Sequence, residues 1–257
     1  GGTGRGTEFT HVLSFNSSDD GVEFFGGAVD MSELAVIGAS DDSIDADSGV
    51  DANIETAVVV QRTNTGDSII EFDSPDDLAD GTPGDALPQS RMVVNNFTFV
   101  QRSSASGQAI RARGGAALGI TNGVVDVDTA DDVCLRIDET PTLNAIIAIE
   151  SVVCDGVARP TRGDDGPSDQ QVQDVVDAGM NNNFTFTLSL TNNLVNGANE
   201  NGVAAFDPTA LSSFFSASTF VGAVESDLSE DFGDWTCNSD IQDFGSATGD
   251  CTSLPVY

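Results

Sequence analysis

Apolar and polar positions alternate along this chain in short bursts that return at intervals. The triplets Val22-Glu23-Phe24, Ile44-Asp45-Ala46, Ile70-Glu71-Phe72, Ile110-Arg111-Ala112 and Leu135-Arg136-Ile137 each set an outward charge between two inward apolar residues. They begin 22, 26, 40 and 25 residues apart. A period of this length marks a solenoid, whose coils bury their apolar faces only by stacking on one another. A second strand series lies about ten residues ahead of the first: Thr10-His11-Val12-Leu13, Leu34-Ala35-Val36-Ile37, Ala57-Val58-Val59-Val60 and Phe97-Thr98-Phe99-Val100. Val60-Gln61-Arg62-Thr63 and Val100-Gln101-Arg102-Ser103 nearly repeat each other at one phase.

Short strands separated by Gly, Asn, Asp and Ser in coils of this length predict a mainly β chain folded as a right-handed parallel β-helix. Residues 1–156 supply about six visible coils, roughly 30 Å of stack at about 4.8 Å per coil. The long interval contains Ser74-Pro75-Asp76-Asp77-Leu78-Ala79-Asp80-Gly81-Thr82-Pro83-Gly84, predicted as a loop projecting from one corner. From residue 157 the pattern changes, and 157–257 is expected to form a C-terminal cap with short helices. Ser168 and Gln171 form a capping box ahead of Val172, Val175 and Val176, with Gly179 as the stop. Asn183-Phe184-Thr185-Phe186-Thr187-Leu188-Ser189-Leu190 returns to strand alternation, and Pro208 with Leu211, Phe214 and Phe215 predicts a second helix. This region is expected to close one end of the stack, where a bare core and unpaired strand edges would otherwise lie open.

Charge narrows the partners. The 257 residues hold 42 acidic and 9 basic side chains, a formal net charge of −33, and every basic residue is Arg. Nucleic acid and anionic membrane surfaces are poor partners for such a chain, and no direct membrane insertion is expected. The acidity suits a solvated surface in salty water, with divalent-cation binding as the sharper alternative. Four cysteines allow three pairings; their spacing favours Cys134 with Cys154, on adjacent coils, and Cys237 with Cys251. No CxxC spacing or histidine cluster suggests zinc, so an oxidising, extracytoplasmic setting is expected.

The phrase Asp19-Asp20-Gly21-Val22-Glu23-Phe24-Phe25-Gly26-Gly27 returns 22 residues later as Asp41-Asp42-Ser43-Ile44-Asp45-Ala46-Asp47-Ser48-Gly49. It resembles a family of uncharacterised surface proteins of Gram-negative bacteria, many of them lipoproteins, most strongly over residues 3–62. The likeness reappears at Ser213-Phe214-Phe215, Phe220-Val221-Gly222-Ala223-Val224 and Asp234-Trp235-Thr236. The resemblance implies an extracellular or outer-surface location and further coils ahead of Gly1-Gly2-Thr3-Gly4-Arg5-Gly6. It brings no established activity and no catalytic residues.

Candidate chemistry is sparse. The single histidine, His11, has no serine elbow nearby. Asp19-Asp20, Asp41-Asp42 and Asp131-Asp132 supply carboxylate pairs for hydrolysis, but corner aspartates also make Asx turns. Arg111 and Arg136 are candidate bases for a lyase. Asp45, Asp47 and Asp51 alternate as oxygen donors and are candidate calcium ligands. Phe24, Phe25 and Phe72 are the aromatics near the charged ladder, which has no Trp or Tyr to form a sugar platform. The reading favoured is an extracellular structural or adhesive β-helix without turnover, working through protein partners or self-assembly into a filament. The alternative is a polysaccharide-active or polysaccharide-binding β-helix.

Overall fold

The computed structural model describes residues 3–74, 88–102, 107–127, 132–245 and 249–257. The strands are β1 (Glu8–Phe15), β2 (Val22–Phe25), β3 (Ala28–Ile37), β4 (Ile44–Asp47), β5 (Asp51–Val60) and β6 (Ile70–Phe72). They continue as β7 (Arg91–Gln101), β8 (Gln108–Ala112), β9 (Ala117–Val127) and β10 (Val133–Asp138). A short helix α1 (Thr140–Ala145) precedes β11 (Ala148–Asp155) and β12 (Thr161–Asp164), and α2 (Asp169–Ala178) precedes β13 (Asn183–Phe186). Long strands build one parallel sheet, β1-β3-β5-β7-β9-β11-β13, and short ones a second, β12-β10-β8-β6-β4-β2. This is a parallel β-helix of about six turns.

The register follows the triplets. Val22, Ile44, Ile70, Ile110 and Leu135 form one interior column. Two positions on, Phe24, Ala46, Phe72, Ala112 and Ile137 form another. Phe72 is fully buried between two alanine neighbours, so large and small side chains alternate and the layers interdigitate. In the long sheet, Phe97 lies over Gly123. A Cβ at Gly123 would stand 2.0 Å from the Phe97 ring.

Each long strand bends once. His11, Glu33, Thr56, Asn96, Asn122 and Ser151 all have positive φ, and the ladder skips them. The bend splits the long sheet into two faces at about 1–2 kcal/mol for each non-glycine left-handed residue. Beyond it, Ala35, Ile37, Val58, Val60 and Val100 point outward and are still buried.

That second apolar surface determines where the C-terminal region goes. The expected capping box is present, with the Gln171 N–H donating to Ser168. Val172 and Val176 of α2 plug into the main core, so α2 closes one end. The rest departs from the expectation of an end cap. β12 and β13 extend both sheets past residue 156, and residues beyond β13 run back along the flank. Leu194, Val224, Leu228, Phe232 and Phe244 cover the outward apolar column, and Trp235 reaches the first coil, 5.3 Å from His11. The predicted second helix is only a three-residue 3-10 turn, Pro208–Ala210. In its place α3 (Leu228–Phe232) begins at Asp227, which accepts from the Ser229 N–H. The paired segments β14 (Cys237–Asn238) and β15 (Gly249–Asp250) end the flank.

Both expected disulfides are present, Cys134–Cys154 and Cys237–Cys251. The first joins β10 of the short-strand sheet to β11 of the long-strand sheet across the interior. The predicted loop at 74–84 lies, apart from Ser74, outside the described residues, as does Asp131. Among the described residues no helix is long and apolar enough to cross a membrane.

Candidate functional site

The flank segment covers the long sheet on both sides of its bend. The carbonyl of Ala204 accepts from Ser151, Asn96 donates to the carbonyls of Phe220 and Gly222, and Glu55 accepts from the Ser216 N–H. The outer face of the short-strand sheet keeps its charges, and they stand in a single column. Strand register stacks Glu23, Asp45, Glu71, Arg111, Arg136 and Arg162 in that order.

The arginine end is a closed ionic lattice. Arg111 donates Nη1 to Glu71 at 2.8 Å and both Nε and Nη2 to Asp138 at 2.9 and 2.8 Å. Arg136 donates Nε to the other oxygen of Asp138 at 2.7 Å and Nη2 to Asp164 at 3.1 Å. Arg162 joins Asp164 at 2.7 Å, and Arg113 pairs with Asp73 and Glu71. Four guanidiniums thus meet four carboxylates. Asp138 is only 1% exposed and is held between two cations. Burial works against the charge on Arg111, but Asp138 and Glu71 outweigh it and its pKa is raised.

Among the described residues of the acidic end only Glu71, the residue shared with the lattice, meets a guanidinium. Carboxylate oxygens of Asp42, Asp45 and Glu71 lie within 4.8 Å of one another, as do those of Asp20, Glu23 and Asp45 and those of Asp19, Asp20 and Asp41. Asp42 is 6% exposed and accepts from the Ser68 N–H at 2.7 Å. Burial, then Glu71 and Asp67, pushes its pKa up to about 8. Burial, with Asp20 and Glu71 next, takes Asp45 to about 7, and burial with Glu23 takes Asp20 to about 6. Asp67 is raised by burial and by Glu71.

The expected calcium set does not converge. Asp45 belongs to two of the acidic groups, but Asp47 and Asp51 belong to none among the described residues. Asp47 accepts from the N–H of Ser48, at a turn where Ser48 and Gly49 are both left-handed. Asp51 lies past that turn on the long sheet, paired with Arg5 and Arg91. Of the expected carboxylate pairs, Asp19, Asp20, Asp41 and Asp42 all contribute to groups that span neighbouring coils. Glu71 meets Arg111 as its place in the charged series suggests, and Asp138 is the lattice residue that sequence reasoning left unassigned. Both share the phase of the charged triplets, as Asp138 follows Leu135-Arg136-Ile137 directly. Phe24 and Phe72 point inward, and Phe25 is 51% exposed beside the acidic end.

The family model for the pectate-lyase-like beta helix domain matches residues 2–203. The chain belongs to that family. Comparison with curated proteins and with solved structures gave no match. Among the described residues, then, the outer face of the short-strand sheet in this pectate-lyase-like domain carries two chemistries end to end: an ion-paired lattice and a cluster of carboxyls joined to it through Glu71.

Proposed function

We propose that this pectate-lyase-like β-helix is a structural or adhesive element of the outer cell surface that binds without turnover. Its working surface is the outer face of the short-strand sheet. The observation that carries this reading is the state of Arg111. A lyase needs a basic group that gives up its proton, whereas Arg111 is clamped between Glu71 and Asp138 with its pKa raised. The resemblance of the Asp-Asp-Gly-Val-Glu-Phe-Phe-Gly-Gly phrase to bacterial surface proteins supports the location. The stacked coils supply a stiff body whose second long-sheet face, beyond the bend, is covered by its own chain.

The acidic end is where we place a divalent cation, in place of the Asp45, Asp47 and Asp51 set. Asp42, Asp45 and Glu71 offer only oxygen donors, which suit calcium. Asp20 and Glu23 extend the same donor set through Asp45.

A second reading, hydrolysis of a polysaccharide, is favoured by one observation. Asp42 and Asp45 are carboxyls whose pKa values, about 8 and 7, suit a general acid at neutral pH. One assay separates the two. The protein is incubated with acidic and neutral polysaccharides, and new reducing ends and unsaturated products are measured. The binding reading predicts none above the level of Asp45→Asn. Release of products by the native chain and not by Asp45→Asn would establish the hydrolytic reading instead.

A further inference from the structure

We propose that a cleft on the first face of the long sheet is a binding site for an uncharged, polyhydroxylated ligand, a pyranose residue of a neutral glycan. The cleft holds about 400 Å³, within the range of small-molecule sites. It lies on a different face from the charged column, between the outward residues of β3, β5 and β7 and the loop that carries Phe214.

Its floor consists of planar groups held by one another. Asn53 donates its amide to Asp30 at 2.6 Å and accepts from Arg91 Nη1 at 3.1 Å. The same Arg91 nitrogen reaches Asp51 at 3.1 Å, and Nη2 donates to the Leu211 carbonyl at 3.1 Å. Arg5 bridges Asp30 and Asp51 from the other side. The walls are therefore fixed before any ligand arrives. Phe214 sets an aromatic edge at the rim, braced against buried Phe215 at 5.5 Å between ring centres.

The charges choose the ligand class. Two guanidiniums meet two carboxylates, so the cleft is neutral in a chain of net charge −33. A charged ligand would have to displace one member of an existing ion pair. Hydroxyl groups need no such exchange: each both donates and accepts, and carboxylate, amide and guanidinium present paired sites to adjacent hydroxyls. Phe214 offers an apolar edge to the C–H face of a sugar ring. None of these residues belongs to the charged column, so the inference stands apart from the proposed function.

The test is a side-chain NMR titration of the whole chain, following the Arg5, Arg91 and Asn53 signals. The probes are neutral oligosaccharides of glucose, galactose and xylose, with galacturonate and glycine as charged competitors. At least one neutral sugar is expected to shift these signals. Ser213→Trp, which fills the mouth from an exposed position, should weaken that binding at least about tenfold with the melting temperature unchanged. Asn53→Ala should weaken it as well. Three results would overturn the proposal: no shift with any neutral sugar, stronger binding of galacturonate or glycine, or binding untouched by Ser213→Trp in a folded protein.

Discussion

The two ends of the charged column share one sheet, one phase and one spacing, yet they solve the same electrostatic problem in opposite ways. Around Arg111 and Arg136 every carboxylate meets a guanidinium, and buried Asp138 is held by two cations. Around Asp45 the neighbours above and below are Glu23 and Glu71. Like charges stacked about 5 Å apart repel by roughly 1–3 kcal/mol per pair at effective dielectrics of 80 to 20. Burial first, and this repulsion after it, raises the pKa values of Asp42, Asp45 and Asp20, so the acidic end holds protons that free carboxylates would lose. One end is thus finished within the fold. The other leaves closely spaced carboxyls that protons can neutralise and salt can screen.

The largest effect should come from breaking the finished end. Asp138→Ala removes the carboxylate that Arg111 and Arg136 share, leaving them Glu71 and Asp164, and is expected to cost about 3 kcal/mol, the lower end for breaking a buried ion pair, measured by denaturant unfolding. The matching change at the other end, Asp45→Asn, removes a repulsion and should leave stability unchanged or higher above pH 8.

Calcium comes next. At a free concentration about a hundred times its Kd, a cation bound only to the native state adds ~2.7 kcal/mol. A rise in melting temperature, reversed by chelator and lost in the pair Asp45→Asn with Glu71→Gln, is expected. No rise with calcium, or the same rise in that variant, would contradict a cation at this end.

Protons act in the same place. Asp42, Asp45 and Asp20 have folded pKa values above the ordinary 3.8, so the native state binds more protons than the unfolded chain between pH 4 and 8. Stability must fall as pH rises through that window and level off above it. Thermal melts across this range should show the fall, and Asp42→Asn should remove its upper part. The smallest effect concerns Arg162, at the exposed end of the lattice: Arg162→Met should cost no more than about 1 kcal/mol.

Much of this architecture is legible in the residues. The triplets fix the interior column from Val22 to Leu135, because period-2 alternation combined with a repeat near 22 leaves one register. The same phase aligns the charges. The flank is harder to read, although Leu34-Ala35-Val36-Ile37 and Ala57-Val58-Val59-Val60 carry its signal. Unbroken apolar runs belong to strands buried on both faces, so something had to cover Ala35, Ile37, Val58 and Val60. What covers them, Leu194 to Phe244, comes from far along the chain, and no local pattern names it. The Asp45, Asp47 and Asp51 set misled for a related reason. Spacing along one strand says which side chains share a face, but Ser48 and Gly49 carry the chain onto another sheet. There Asp51 meets Arg5 and Arg91, both distant in sequence.

The difference between the two ends is tested most directly by carbon-detected NMR titration of the aspartate carboxyls. Asp42 and Asp45 should titrate near pH 8 and 7. Both titrating close to the ordinary 3.8 would mean that the acidic end carries its full charge at neutral pH, and the contrast drawn between the two ends would fail.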